Sequence, residues 1–101
     1  MDMKFLMKQA QKIQQDITKA QNELANKEYE ATAGGGAIVI KAKGSMHIEE
    51  VHIDPDMMKE DVADLEAMLA MTINSLIEKI EKEREDIMKP ITGGAKFPGA
   101  F

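Results

Sequence analysis

The chain has no cysteine and no tryptophan, which excludes disulfides and thiolate metal sites and fits a reducing compartment. Aromatic residues make up only 4% of its 101 residues, too few for a platform on which single-stranded bases stack. No apolar run approaches the roughly 18–20 residues that a membrane helix needs. The stretch from Met1 to Lys12 lacks the apolar core of a signal peptide. A cytoplasmic protein with no membrane partner is expected. The net charge is −5, which opposes a general affinity for nucleic acid, so any such affinity depends on where the lysines sit.

Catalytic groupings are equally scarce. Ser45 falls in a predicted turn and Ser75 in a predicted helix, so no Ser/His/Asp arrangement is readable. His47 and His52, five apart in a predicted strand, face opposite sides unless a bulge intervenes, and cannot share a metal. Asp54, Asp56, Glu60, Asp61 and Asp64 lack the central glycine of a calcium loop and read as capping and helix-dipole residues. Gly34-Gly35-Gly36 is not a phosphate loop, because no Gly-Lys-Ser/Thr follows and the next element is a strand. No catalytic residue, metal, cofactor or small-molecule substrate is expected, and the chain does not read as an enzyme.

What is present falls into three blocks. Residues ~2–27 are polar and periodic, ~28–54 are β-branched and punctuated by glycine, and ~57–89 are periodic and charged. The domain is expected over 1–90, ending where Pro90 stops the last helix, with a flexible Gly/Pro-rich tail over 91–101. In the middle block three strands are expected, Glu28–Ala33, Ala37–Lys43 and Met46–Ile53, with turns at the glycine triplet and at Gly44-Ser45. In the second strand Ile38, Ile40 and Ala42 share one face and Val39, Lys41 and Lys43 the other. In the third the alternation changes phase, and a bulge near Glu49-Glu50 would restore it. The last helix carries an apolar stripe of Val62, Leu65, Leu69, Ile73, Leu76, Ile80 and Ile87, with i,i+4 pairs Glu78–Lys82 and Glu85–Lys89 outside. The expected fold is α+β, in the order α-β-β-β-α, with a three-stranded antiparallel sheet and two long helices. Its exposed sheet edges invite a homodimer through the sheet.

The first helix carries the functional information. Met3, Leu6, Ala10, Ile13, Ile17, Ala20 and Leu24 recur at spacings of 3 or 4 and form one apolar seam, to be covered by the last helix or by a partner chain. At about 100° per residue, Lys4, Lys8, Lys12 and Lys19 cluster on the opposite side, with Gln11, Gln15 and Asn22 between them. Asp2, Asp16 and Glu23 fall on the flank. Residues 1–27 hold five lysines against these three carboxylates, a net +2 within a chain of −5. The stripe is open to two readings: lysine as an ordinary solvated helix former, or a row of point charges suited to phosphates, with Gln11 and Gln15 as hydrogen-bonding companions.

Several short segments stand in order along nearly the whole chain: Leu6-Met7-Lys8-Gln9-Ala10-Gln11, the glycine run before the Val/Ile-rich strand, Lys43-Gly44, Ile53-Asp54-Pro55, Asn74, and Gly93-Gly94 with Pro98-Gly99. Together they resemble the YbaB/EbfC family of bacterial nucleoid-associated proteins. The resemblance implies a tight homodimer with tweezer-like helical arms that binds double-stranded DNA without catalysis. It also implies a place in the nucleoid and an influence on nucleoid organisation and gene expression, while lysine contacts to phosphate imply low sequence specificity. The implied contacts are the lysines of the first helix, chiefly Lys8. The sequence departs from many members in having no Gly-rich leader before that helix, and in Glu66-Ala67 and Asn74-Ser75 where Glu-Asp and Asn-Asp are frequent. Neither departure touches the lysine stripe. The competing class is a chaperone-like or adaptor module that grips other proteins with its amphipathic helices.

Overall fold

The computed structural model of the chain describes residues 2–92. Helix α1 spans Met3–Asn26, strands β1, β2 and β3 span Glu28–Ala33, Ile38–Lys43 and Ile48–Ile53, and helix α2 spans Val62–Thr92. Asp2 caps α1, its carboxylate accepting from the Lys4 amide at 3.0 Å. This satisfies one of the donors that a helix start leaves unpaired. The helix ends where Lys27 becomes extended and its amide bonds back to the Glu23 and Leu24 carbonyls, and β1 follows at once.

The sheet is antiparallel in the order β1-β2-β3. The glycine triplet joins β1 to β2 through a tight turn in which Gly34, Gly35 and Gly36 all have positive φ, a run that side-chain-bearing residues rarely adopt. The expected bulge is present. Lys41 pairs with Glu50 and Ala42 with Ile48, which leaves Glu49 as the extra residue. The bulge brings Ile48, Val51 and Ile53 onto the face of β2 that carries Ile38, Ile40 and Ala42. It also removes the parity argument that separated His47 from His52. Both are exposed, and no group of side chains suited to a metal occurs among the described residues.

Between β2 and β3 the Met46 amide closes a turn on the Lys43 carbonyl at 2.8 Å, and Met46 rather than Gly44 takes the left-handed conformation, at φ 70°. Gly44 is needed for space: a Cβ there would lie 1.9 Å from the Leu24 carbonyl oxygen. Met46 thus belongs to the turn, and β3 begins two residues later than its alternation predicts.

Asp54 and Pro55 end β3 as expected, opening a 3-10 turn over Pro55–Lys59. The start of α2 is therefore displaced to Val62, where the Asp61 carboxylate accepts from the Ala63 amide. Pro90 does not end α2, which continues to Thr92. Proline suits helical φ, but its missing amide leaves the carbonyl four residues back, that of Asp86, without its helical donor, so the helix continues past Pro90 at a local cost. Residues 91 and 92 of the expected tail are thus helical, and the rest of it lies outside the described residues. Neither Glu78–Lys82 nor Glu85–Lys89 closes as an ion pair among the described residues. Such exposed pairs gain too little to fix two long side chains.

The core lies between α2 and the sheet. Ile38, Ile40 and Ala42 of β2 pack with Tyr29 and Ala31 of β1, Leu24 of α1, and Leu76 and Ile80 of α2. A second, smaller cluster joins Ile17 and Ala20 of α1 to Met88 of α2. The two contacts fix an antiparallel helix pair. Of the predicted α2 stripe, Leu76 and Ile80 are fully buried and Leu65, Leu69 and Ile87 partly so, while Val62 and Ile73 remain exposed.

Candidate nucleic-acid interface

Helix α1 divides into a base and an arm. From Ile17 onward its apolar seam is covered, with Ile17, Ala20 and Leu24 buried. Before Asp16 every described residue is exposed. A helix surrounded by solvent holds its shape through local bonds, and here the Asp2 cap supplies one and the Gln14–Thr18 side-chain bond at 3.4 Å another. The arm's amphipathic pattern persists where nothing covers it: Met3, Leu6 and Ile13 are 68%, 38% and 43% exposed.

All six residues singled out by the sequence, Lys4, Lys8, Lys12, Lys19, Gln11 and Gln15, lie on α1 and are exposed. Helical rotation places them on one side, away from the seam. Lys4, Lys8 and Lys12 follow one another at about 6 Å along the axis, and Lys19 stands about 10 Å beyond. One correction concerns the acids. Asp16 had been placed off the stripe, yet its carboxylate meets the Lys12 ammonium at 3.3 Å. The two residues are a turn apart and only about 40° apart around the helix, a relation present in the spacing itself. The pair is exposed on both sides, so it exchanges readily with water or another anion. Among the described residues Lys4, Lys8 and Lys19 form no salt bridge. Near the base of the arm, Gln15, Lys19 and Asn22 line a shallow surface depression with Gln14, Thr18 and Glu23.

The base is held by contacts that sequence spacing did not reveal. Lys27 donates to the Glu83 carboxylate at 2.5 Å, and Arg84 donates to the Gly44 carbonyl at 3.3 Å. Glu83 also raises the Lys27 ammonium above its ordinary pKa, first through that hydrogen bond and then through its charge. On the outer face of the sheet, by contrast, charges of opposite sign alternate. Glu30, Lys41 and Glu50 lie in one cross-strand row, with Lys41 and Glu50 3.5 Å apart. That row stabilises the sheet and offers no field of one sign.

A small sheet backed by two antiparallel helices, one extended into a cationic arm, is the frame of a binding module. The chain belongs to the YbaB/EbfC DNA-binding family, whose family model matches residues 1–95. It is 41% identical to a nucleoid-associated protein of Clostridium novyi, over the whole of this chain and 90% of the relative. Its identity to nucleoid-associated proteins of Clostridium kluyveri and Clostridium botulinum is also 41%, over 99% of this chain and 89% of each relative. The fold matches that of an uncharacterized Helicobacter pylori protein with a TM-score of 0.78. That match is at 16% identity and covers 92% of this chain and 99% of the other. The resemblance seen in the short segments is therefore a family relationship, and the α-β-β-β-α order is the fold observed.

Proposed function

We propose that this protein is a nucleoid-associated protein that binds double-stranded DNA as a homodimer with low sequence specificity and without catalysis. The observation that carries the proposal is the row of exposed ammonium groups on the arm, on the side opposite the apolar seam. Lysine meets phosphate as a point charge and does not read base edges in the bidentate manner of arginine. Binding through Lys4, Lys8, Lys12 and Lys19 is thus electrostatic, with Gln11 and Gln15 adding bonds to phosphate oxygens. Family membership and the names of the relatives support a place in the nucleoid.

The homodimer is supported by what α2 leaves uncovered. It packs chiefly on β1 and β2, so Ile48 and Val51 of the edge strand β3 stay exposed although they share the core-side face. Arg84 reaches the β2–β3 turn, and Ile73 lies three turns away on the same flank of α2. Exposed Ile73 therefore faces the same side as β3. An unpaired strand edge beside an apolar strip is a surface that a second copy of the chain can complete.

The test is fluorescence anisotropy on duplex DNA across a salt series. Log affinity should fall with log salt at roughly −0.9 per phosphate neutralised, and each Lys→Ala change on the arm should lower that slope by about one contact. Changing Lys4, Lys8, Lys12 and Lys19 together to Glu should abolish binding with the fold intact. Undiminished binding by that variant would remove the arm from the mechanism. A chaperone-like or adaptor role draws on the arm's uncovered apolar side instead. It would show as suppressed aggregation of an unfolded client, unaffected by the four charge reversals.

A further inference from the structure

The exposed apolar side chains of the arm do not all lie on its seam. Met3, Leu6 and Ile13 do, and Met7 stands only about 40° around the helix from Met3. Phe5 is different. It lies about 80° or more around the helix from every seam residue of the arm, but about 60° from Lys8 and only about 20° from Lys12. Along the axis it stands between Lys4 and Lys8, about 1.5 Å beyond the first and about 4.5 Å short of the second. It is 57% exposed, and it is the only phenylalanine among the described residues.

A single apolar side chain on a surface is ordinary. The setting of this one is not. Residues 3–15 carry three lysines and no carboxylate, so Phe5 sits on the side of the arm that gathers positive charge. It belongs to neither core cluster, and a helix packed on the seam would leave it bare. We propose that Phe5 is a wedge, entering the minor groove of duplex DNA and pressing between two base pairs while the neighbouring lysines hold phosphates. The wedge presupposes the proposed DNA binding and adds to it a contact that is not electrostatic.

The dimensions select this mode. A helix with its side chains is about 10–12 Å across, and the minor groove is about 6 Å wide. The body of the arm therefore stays outside the groove and only a side chain enters. Phe5 is in the first turn of α1, at the end of the arm that nothing covers. A flat apolar ring reads no base edge, but its insertion requires two base pairs to unstack. That cost is least at flexible pyrimidine–purine steps and greatest in stiff A-tracts. Phe5 thus gives a protein that holds phosphates through lysine a preference among sequences, set by deformability.

The test compares the wild type, Phe5→Ala and Lys8→Ala on a short duplex with a central TA step. Energy transfer between the duplex ends reads bending, and 2-aminopurine at the step reads unstacking. At saturation the wild type should shorten the end-to-end distance and brighten the 2-aminopurine. Phe5→Ala should lose both signals and about tenfold in affinity, with the salt slope unchanged, because the ring releases no counterion. Lys8→Ala should lower the slope by about one contact and keep the bend at saturation. On an A-tract duplex the wild type should bind roughly several-fold more weakly, while Phe5→Ala should bind the two duplexes alike. Wild-type binding to a duplex that stays straight and stacked, or bending retained in Phe5→Ala, would overturn the wedge and leave the lysine contacts standing. A raised dimer dissociation constant in Phe5→Ala would overturn it as well, because a second copy would then be what covers the ring. No wild-type binding to either duplex would overturn the nucleic-acid proposal and the wedge with it.

Discussion

The Lys27 ammonium and the Glu83 carboxylate meet at 2.5 Å across 56 positions of sequence, at the corner where α1 gives way to β1. The Lys27 ammonium also stands 5.4 Å from the centre of the Tyr29 ring. One side chain thus ties the base of the arm to α2 and to the first strand. The aim of the lysine row depends on this corner, although no residue of the corner lies in the row.

The corner predicts a loss of stability at alkaline pH. Glu83 raises the Lys27 pKa above 10.5. For Tyr29, burial first and then the Glu83 charge raise the phenol above 10.0. Each group therefore holds its proton more tightly folded than unfolded. Its contribution is fully present below the unfolded pKa and is lost as pH rises through the folded value. The thermal midpoint should fall above about pH 10, and less steeply in a Lys27→Met/Tyr29→Phe variant. An equally steep fall in that variant would assign the alkaline transition to other groups.

Tyr29 alone makes a separate prediction. Its buried hydroxyl makes no hydrogen bond of good geometry, although the Glu83 carboxylate stands near enough to act on it. Replacing Tyr29 by Phe keeps the ring in the core and removes a poorly satisfied polar group, so stability should stay level or rise by up to ~1 kcal/mol. Urea midpoints would measure this. A loss above ~1 kcal/mol would mean that the hydroxyl is satisfied in solution.

Much of this architecture was readable because its signals are local. The phase change between Met46-Ile48 and Val51-Ile53 disclosed the bulge, and the 100° rotation placed the lysines opposite the seam. The proximity of Asp16 to Lys12 was equally local and was missed. Lys27–Glu83 left no trace in spacing, since its partners meet only after the whole sheet has formed between them. The exposure of Ile48 and Val51 was hidden for a related reason. Alternation says which face a side chain takes, and only the placement of α2 says whether that face is covered.

The two turn glycines should respond differently to alanine. At Gly44 the added carbon would lie 1.9 Å from the Leu24 carbonyl oxygen, so the C-terminal end of α1 must separate from the β2–β3 turn. Gly44→Ala should cost on the order of 3 kcal/mol or prevent folding. At Gly35 nothing lies within 4 Å and only its φ of +67° resists a side chain. Gly35→Ala should cost about 1 kcal/mol. Denaturant titration of both variants compares a clash with a dihedral preference, and equal losses would contradict this geometry.

The proposed dimer is tested where the apolar surface is already open in the single chain. Val51 is 54% exposed and Ile73 39%, so Val51→Glu and Ile73→Glu leave the core intact and place carboxylates only on the strip beside β3. If that strip joins two copies, the double variant should sediment as a folded monomer at micromolar concentrations where the wild type is a dimer. Desolvating the new carboxylates at the centre of an interface is costly, and a rise in the dimer dissociation constant on the order of 100-fold or more is expected. DNA affinity should fall with it, because two arms on one duplex act at high effective concentration. The remaining affinity should keep roughly half the salt slope, since each arm still carries its own lysines. A variant that remains dimeric would move the interface elsewhere, with the free edge of β1 the next surface to probe.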